Sequence, residues 1–194
     1  MRNTFVLALT AGLAVAAGSV RAAESPPALA KCQACHKIDG NSPSADMPRL
    51  NGQPWPYLAN RVRSFRYPTQ QTPHATFFMM DVNSSVSDAT LVELAKYFAG
   101  QKPTETSHEG PLAEQGRKLY QTGDGRLPSC QSCHGATGEG HDSIPRLNGQ
   151  HAVYLRKQLE NFSMLTRVNQ TMNPHIRNMT AEQIASLVAF LAKD

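Results

Sequence analysis

Apolar residues recur at helical spacing in two matched pairs of stretches. Residues 57–65 (YLANRVRSF) and 154–162 (YLRKQLENF) gather apolar side chains on one face and charged ones on the other. Further on, Leu91, Leu94, Ala95 and Phe98 repeat the pattern, as do Ile184, Leu187, Val188 and Leu191. Ser87 and Thr180 stand where these last helices need an N-cap, and Thr180 with Gln183 makes a capping box. Residues 100–110 (GQKPTETSHEG) are polar, contain a proline and read as a linker. The pattern predicts an all-α chain in two halves.

Those halves are copies of one unit. PRLNGQ occurs at 48–53 and at 145–150, and the offset of 97 continues through Tyr57/Tyr154, Leu58/Leu155 and Phe65/Phe162. It then drops to 93, because the first half carries four extra residues around 68–76. At the new offset Ser87 meets Thr180, Leu91 meets Ile184, Leu94 meets Leu187 and Tyr97 meets Phe190. A unit of roughly 80 residues is small to be stable on its own apolar core.

The first residues have the form of an export leader. Arg2 is followed by an apolar and small-residue run from Phe5 to Val20, and Val20-Arg21-Ala22 suits cleavage after Ala22. The run is interrupted by Thr and Gly and is short for a membrane span. The expected layout is a signal peptide at 1–22, one domain at 23–100, a linker at 101–109 and a second domain at 110–194. Arg2 and Arg21 leave with the signal, so the 19 basic residues fall to 17 against 15 acidic ones. That small excess, without a basic run interleaved with aromatics, argues against a nucleic-acid partner.

All four cysteines fall in two CxxCH motifs, CQACH at 32–36 and CQSCH at 130–134. Disulfides, a zinc site and a thioredoxin-like pair are the other uses of CxxC. A zinc ribbon wants its pairs about 15–20 residues apart, whereas these lie 98 apart. A redox dithiol wants a βαβ setting, and neither pair has one. A histidine straight after the second cysteine is the attachment signature of c-type haem: two thiols on one helical turn reach the vinyl groups, and the next imidazole reaches the iron. Cys32, Cys35, Cys130 and Cys133 are therefore the candidate thioether residues. His36 and His134 are the candidate axial ligands.

Each iron needs a second axial ligand, methionine or histidine. Met79 lies eight residues before Ser87, and Met172 lies eight before Thr180, so they occupy equivalent positions. Met80 matches Asn173 and has no partner, but it adjoins Met79, and His74 lies five residues upstream. Met80 or His74 at the first iron, and His175 at the second, remain alternatives. Met47, Met164 and Met179 read as packing; His108, His141 and His151 read as surface residues.

Two CxxCH units, each followed by a glycine-containing loop, a PRLNGQ stretch, a tyrosine-led helix and a late methionine, resemble the two-haem cytochrome c4 family. The resemblance covers nearly the whole chain after the leader, although HKIDGNS replaces the HG continuation in the first half. It implies tandem class I cytochrome c domains with two covalently bound haem c groups. Met79 and Met172 would then complete the two irons. The carbonyls of Pro48 and Pro145 would accept the imidazole N–H, and Arg49 and Arg146 would pair with haem propionates.

The implied role is a periplasmic electron carrier, free or peripheral to the inner membrane. It would work between a redox-protein donor and a terminal oxidase or reductase, with no small-molecule substrate. Four ionised propionates would take the polypeptide charge of +2 to about −2. The alternatives are the haem subunit of a dehydrogenase, such as a sulfide-oxidising flavocytochrome, and a dihaem peroxidase using His74.

Overall fold

The computed structural model describes residues 26–66, 73–106 and 109–193, and only the backbone of 73–77. The expected leader at 1–22, most of the insertion around 68–76 and His108 lie outside these residues.

Among the described residues the chain forms helices and no strand beyond two isolated bridges, His141 with Ile144 and Gln150 with Ala192. The helices are α1 (Leu29–His36), α2 (Trp55–Ser64), α3 (Pro73–Ser84), α4 (Asp88–Ala99), α5 (Pro111–Thr122), α6 (Gln131–His134), α7 (Ala152–Ser163), α8 (Met172–Ile176) and α9 (Ala181–Leu191). The chain is thus all-α, and α2 and α7, like α4 and α9, are the amphipathic pairs read from the sequence. Their starts follow from side-chain caps. Ser87 Oγ accepts from the Thr90 N–H at 3.2 Å, and the Thr180–Gln183 capping box makes both of its bonds.

Apolar burial divides between two clusters. Leu29, Leu58, Ala59, Leu91, Leu94 and Phe98 build the first core, and Leu155, Phe162, Ile184, Leu187, Val188 and Leu191 belong to the second. Met179 joins the second core at 8 % exposure, as its reading as a packing residue requires. The second half has a helix before its CxxCH motif that the sequence reading did not anticipate. Pro111 opens α5 and Gly123, at φ 66°, closes it, so the signals were present. Helix α5 lies directly on α9, because Gly116 has no side chain: a Cβ there would come within 1.9 Å of the Ser186 carbonyl oxygen.

Three expectations need correction. Met164 is the C-cap of α7 and 71 % exposed, and Met47 sits in a loop at 37 %, so neither is a packing residue. His151 is buried at 3 %, because its ring Nε2 bonds the Ser42 carbonyl of the other half at 2.8 Å.

That contact belongs to an interface built largely from the repeated hexapeptide. Gln53 Nε2 donates to the Arg146 carbonyl at 2.7 Å while the Arg146 N–H donates to Gln53 Oε1 at 3.0 Å. The same exchange runs the other way, between Gln150 and the Arg49 backbone, at 3.0 and 2.9 Å. Both glutamines are buried, where each amide satisfies a backbone pair as a neighbouring strand would. The linker threads the same interface. Asn51 Nδ2 donates to the Lys102 carbonyl at 2.8 Å, and the Thr106 N–H donates to Asn148 Oδ1 at 3.1 Å.

Candidate functional site

His36 is the last residue of α1 and His134 the last of α6, so each helix ends on an imidazole one residue after its second cysteine. The two rings are held alike. His36 Nδ1 bonds the Pro48 carbonyl at 2.9 Å, and His134 Nδ1 bonds the Pro145 carbonyl at 3.0 Å. A carbonyl only accepts, so Nδ1 carries the proton and Nε2 keeps its lone pair. Burial lowers the pKa of both rings, with the proline carbonyls opposing it, which keeps the imidazoles neutral near pH 7. A buried, oriented, neutral imidazole is what a metal ligand requires.

The loops after the histidines fold back in the same way. Leu50 N–H donates to the Gly40 carbonyl at 2.8 Å, and Leu147 N–H donates to the Gly138 carbonyl at 2.7 Å. The turn of PRLNGQ is then tied to the last helix, Gly52 N–H to the Phe98 carbonyl and Gly149 N–H to the Leu191 carbonyl. Gly52 and Gly149 lie at φ 69° and 78°, which favours glycine in both copies. These bonds bring the proline carbonyls to the histidines.

No disulfide joins the four cysteines; Cys32 and Cys130 are half-buried, Cys35 and Cys133 exposed. No group of three or more His, Cys, Asp and Glu among the described residues could hold a bare metal ion. The residues present fit a covalently attached haem: two unpaired thiols within a turn of a neutral, buried imidazole whose Nε2 is uncommitted.

The two methionines sit differently. Met172 opens the short helix α8 and packs against the second core. Asn169 Oδ1 accepts from the Met172 N–H at 2.8 Å, and Asn173, also bonded to Asn169, donates to the Phe162 carbonyl at 2.6 Å. Met79 lies inside the longer helix α3 and is half-buried, flanked by Phe78 at 80 % and Met80 at 37 % exposure. His74 falls in the same helix, and its side chain lies outside the described residues. His175 is exposed on α8.

Arg49 and Arg146 take part in the interface. Arg49 donates to Asn41 Oδ1 and to the Gly149 and Lys193 carbonyls. Arg146 donates to the Asn148 and Thr104 carbonyls at 3.1 and 3.3 Å. The sequence reading missed Gln53 and Gln150, although their identical placement in both copies of PRLNGQ was the signal.

A family model described as Cytochrome c matches residues 113–193. Cytochrome c4 of Azotobacter vinelandii is 37 % identical, over 88 % of this chain and 85 % of its own length. A thiosulfate dehydrogenase electron acceptor of Thiomonas intermedia is 34 % identical, over 82 % of this chain and 75 % of its own. The crystal structure of reduced recombinant cytochrome c4 from Pseudomonas stutzeri matches with a TM-score of 0.75 and 31 % identity, covering 88 % of this chain and 98 % of that one.

Proposed function

This chain belongs to the cytochrome c4 family, and from that premise we propose that it is an exported carrier of single electrons between redox-protein partners in the periplasm. It is an electron-transfer protein with two covalently bound haem c groups. Bound haem supplies the one-electron couple of its iron. The chain's residues hold it. Cys32, Cys35, Cys130 and Cys133 form the thioethers; His36 and Met79 ligate the first iron, and His134 and Met172 the second. Pro48 and Pro145 fix the imidazole planes through Nδ1, and Met172 packs against the second core.

The observation that carries this reading is the pair of matched His–Pro bonds, one per CxxCH motif, which leaves Nε2 of each ring for a metal. A protein that only relays electrons needs both axial positions filled and stable, and two equivalent methionines meet that need. Relatives named thiosulfate dehydrogenase electron acceptors favour a dehydrogenase as donor; a terminal oxidase or reductase is the acceptor in this reading.

The test is a haem stain and visible spectrum of the wild type and of Met79→Ala, Met80→Ala and Met172→Ala. Two haems per chain are expected. The methionine–iron charge-transfer band should be halved by Met79→Ala and by Met172→Ala and unchanged by Met80→Ala. Loss with Met80→Ala instead moves the first iron's ligand by one residue. Peroxide turnover with a high-spin ferric signal would sink the carrier reading.

A further inference from the structure

Among the described residues four buried side-chain atoms make no hydrogen bond: Asn51 Oδ1, Asn83 Nδ2, Thr106 Oγ1 and Asn161 Nδ2. Asn83 is the most deeply buried of these residues, at 1 % exposure. A buried N–H without a partner costs free energy, so one that is held in place implies an acceptor. Three segments hold it. Arg66, just after α2, donates from Nε to Asn83 Oδ1 at 3.2 Å and from Nη2 to the Val86 carbonyl at 3.4 Å. Asp88, the first residue of α4, pairs with the same guanidinium at 2.7 Å through Nη1. A guanidinium only donates, so the Asn83 carbonyl oxygen faces Arg66 and the Nδ2 donor is left pointing elsewhere.

Asn83 follows Met79 by four residues in α3, so the two share one face of the helix, a turn apart. That face is the inward one, because Phe78 and Met80 on either side of Met79 are the exposed residues. In the second half the residue one turn after Met172 is Ile176, which is apolar and buried in the second core. The residues that hold Asn83 are not repeated either: Ser163 aligns with Arg66 and Ala181 with Asp88. An oriented, unpartnered donor therefore accompanies one candidate axial methionine and not the other.

We propose that Asn83 is a positioning residue for the first iron: its Nδ2 donates to the Met79 sulfur when that sulfur binds the metal, and this bond sets the two reduction potentials apart. The bond is not present in this structure. A methionine side chain turns about three bonds, and binding a metal fixes where its sulfur lies. A thioether with one lone pair on a metal keeps another, which accepts a weak hydrogen bond. The N–H turns the positive end of its dipole toward the site, which favours the ferrous state over the ferric. Ile176 offers no such dipole at the second iron. The inference rests on the reading of Met79 as the first iron's ligand.

The first test is a redox titration of the holoprotein as wild type and Asn83→Leu, which keeps the size of the side chain and removes the donor. Each potential is assigned by the methionine ε-methyl resonance that its iron shifts. The first potential should move down in Asn83→Leu and the second should stay where it is. A variant with two haems in which both potentials move together, or neither moves, overturns the proposal. Met79→Ala separates this outcome from a failure of the ligand reading. If it halves the methionine–iron band and Asn83→Leu still leaves the first potential unchanged, the hydrogen bond alone is lost. If the band survives Met79→Ala, the ligand reading fails and the inference goes with it. The second test needs no variant to fold. In the reduced wild-type holoprotein, labelled with nitrogen-15 asparagine, the Asn83 side-chain amide should exchange slowly with solvent and show a nuclear Overhauser contact to the Met79 ε-methyl. Rapid exchange would mean that water satisfies the donor, and a contact to the Met80 methyl would give it another sulfur; either result overturns the assignment.

Discussion

The two halves support their histidines in the same way and their surroundings in different ways. The His–Pro bonds differ by only 0.1 Å between copies, and the loop bonds from Gly40 and Gly138 are equivalent. Around them, the second half has α5 crossing α9 at Gly116 and a methionine set on its core, while the first half has an exposed Phe78 and Met80 beside Met79. The residue after the histidine differs too. Gly135 lies at φ 86°, but its counterpart Lys37 takes φ 66° with ψ 165°, a region that side chains other than glycine rarely occupy. Duplication has preserved the orientation of the candidate histidine ligands and let the framework diverge. Orientation depends on a few short hydrogen bonds, whereas packing can be rebuilt from any residues of the right volume.

Breaking the second half's own framework should have the largest effect. Gly116→Ala sets a methyl against the Ser186 carbonyl, which requires α5 to move off α9. We expect a loss of about 3 kcal/mol in chemical denaturation followed by circular dichroism. The first half has no described counterpart of this crossing, so unfolding confined to the second half would sharpen the contrast.

The interface offers a symmetric test. Gln53→Ala leaves the Arg146 N–H and carbonyl without their partner, and Gln150→Ala does the same to Arg49. Each should cost about 2 kcal/mol and speed proteolytic cleavage of the linker. Clearly unequal costs would show that one hexapeptide carries more of the interface than the other.

At the strained position the sign reverses. Lys37→Gly should stabilise the protein by about 1 kcal/mol, since glycine takes this backbone conformation freely. A thermal shift downward would show that the lysine side chain compensates for its backbone.

The smallest effect concerns Glu139, which has no acidic equivalent in the first-half loop. N–H groups around Glu139 and Thr137 hold its carboxyl below the usual carboxylate value. The folded form therefore favours the ionised acid. That stability is present above the unfolded pKa and is lost as pH falls through the folded one. The group is exposed, so the effect should stay under about 1 kcal/mol after screening. Glu139→Gln should remove this part of the stability difference between pH 7 and pH 3 in denaturation curves.

Much of this molecule was legible in one dimension. The CxxCH spacing carries its own chemistry, because two thiols and an imidazole within one helical turn address a single haem. The amphipathic pairs and the Thr180 capping box are local patterns, and local patterns survive in sequence. Helix α5 was legible too, from Pro111 and Gly123, although no counterpart precedes the first CxxCH motif among the described residues.

What the chain order could not disclose is which residues meet across the interface. Nothing local says that the glutamine of one PRLNGQ would bond the arginine backbone of the other, or that His151 would be buried by Ser42. The repeat register even misdirects at Arg61, whose counterpart over Phe162 is Arg167 and not the aligned Gln158. Such contacts depend on where two folded surfaces come to rest, and a side chain of the right length can fill a given place from several positions in sequence. The candidate haem ligands were determined by spacing along the chain. Only the tertiary structure decided how the two halves hold each other.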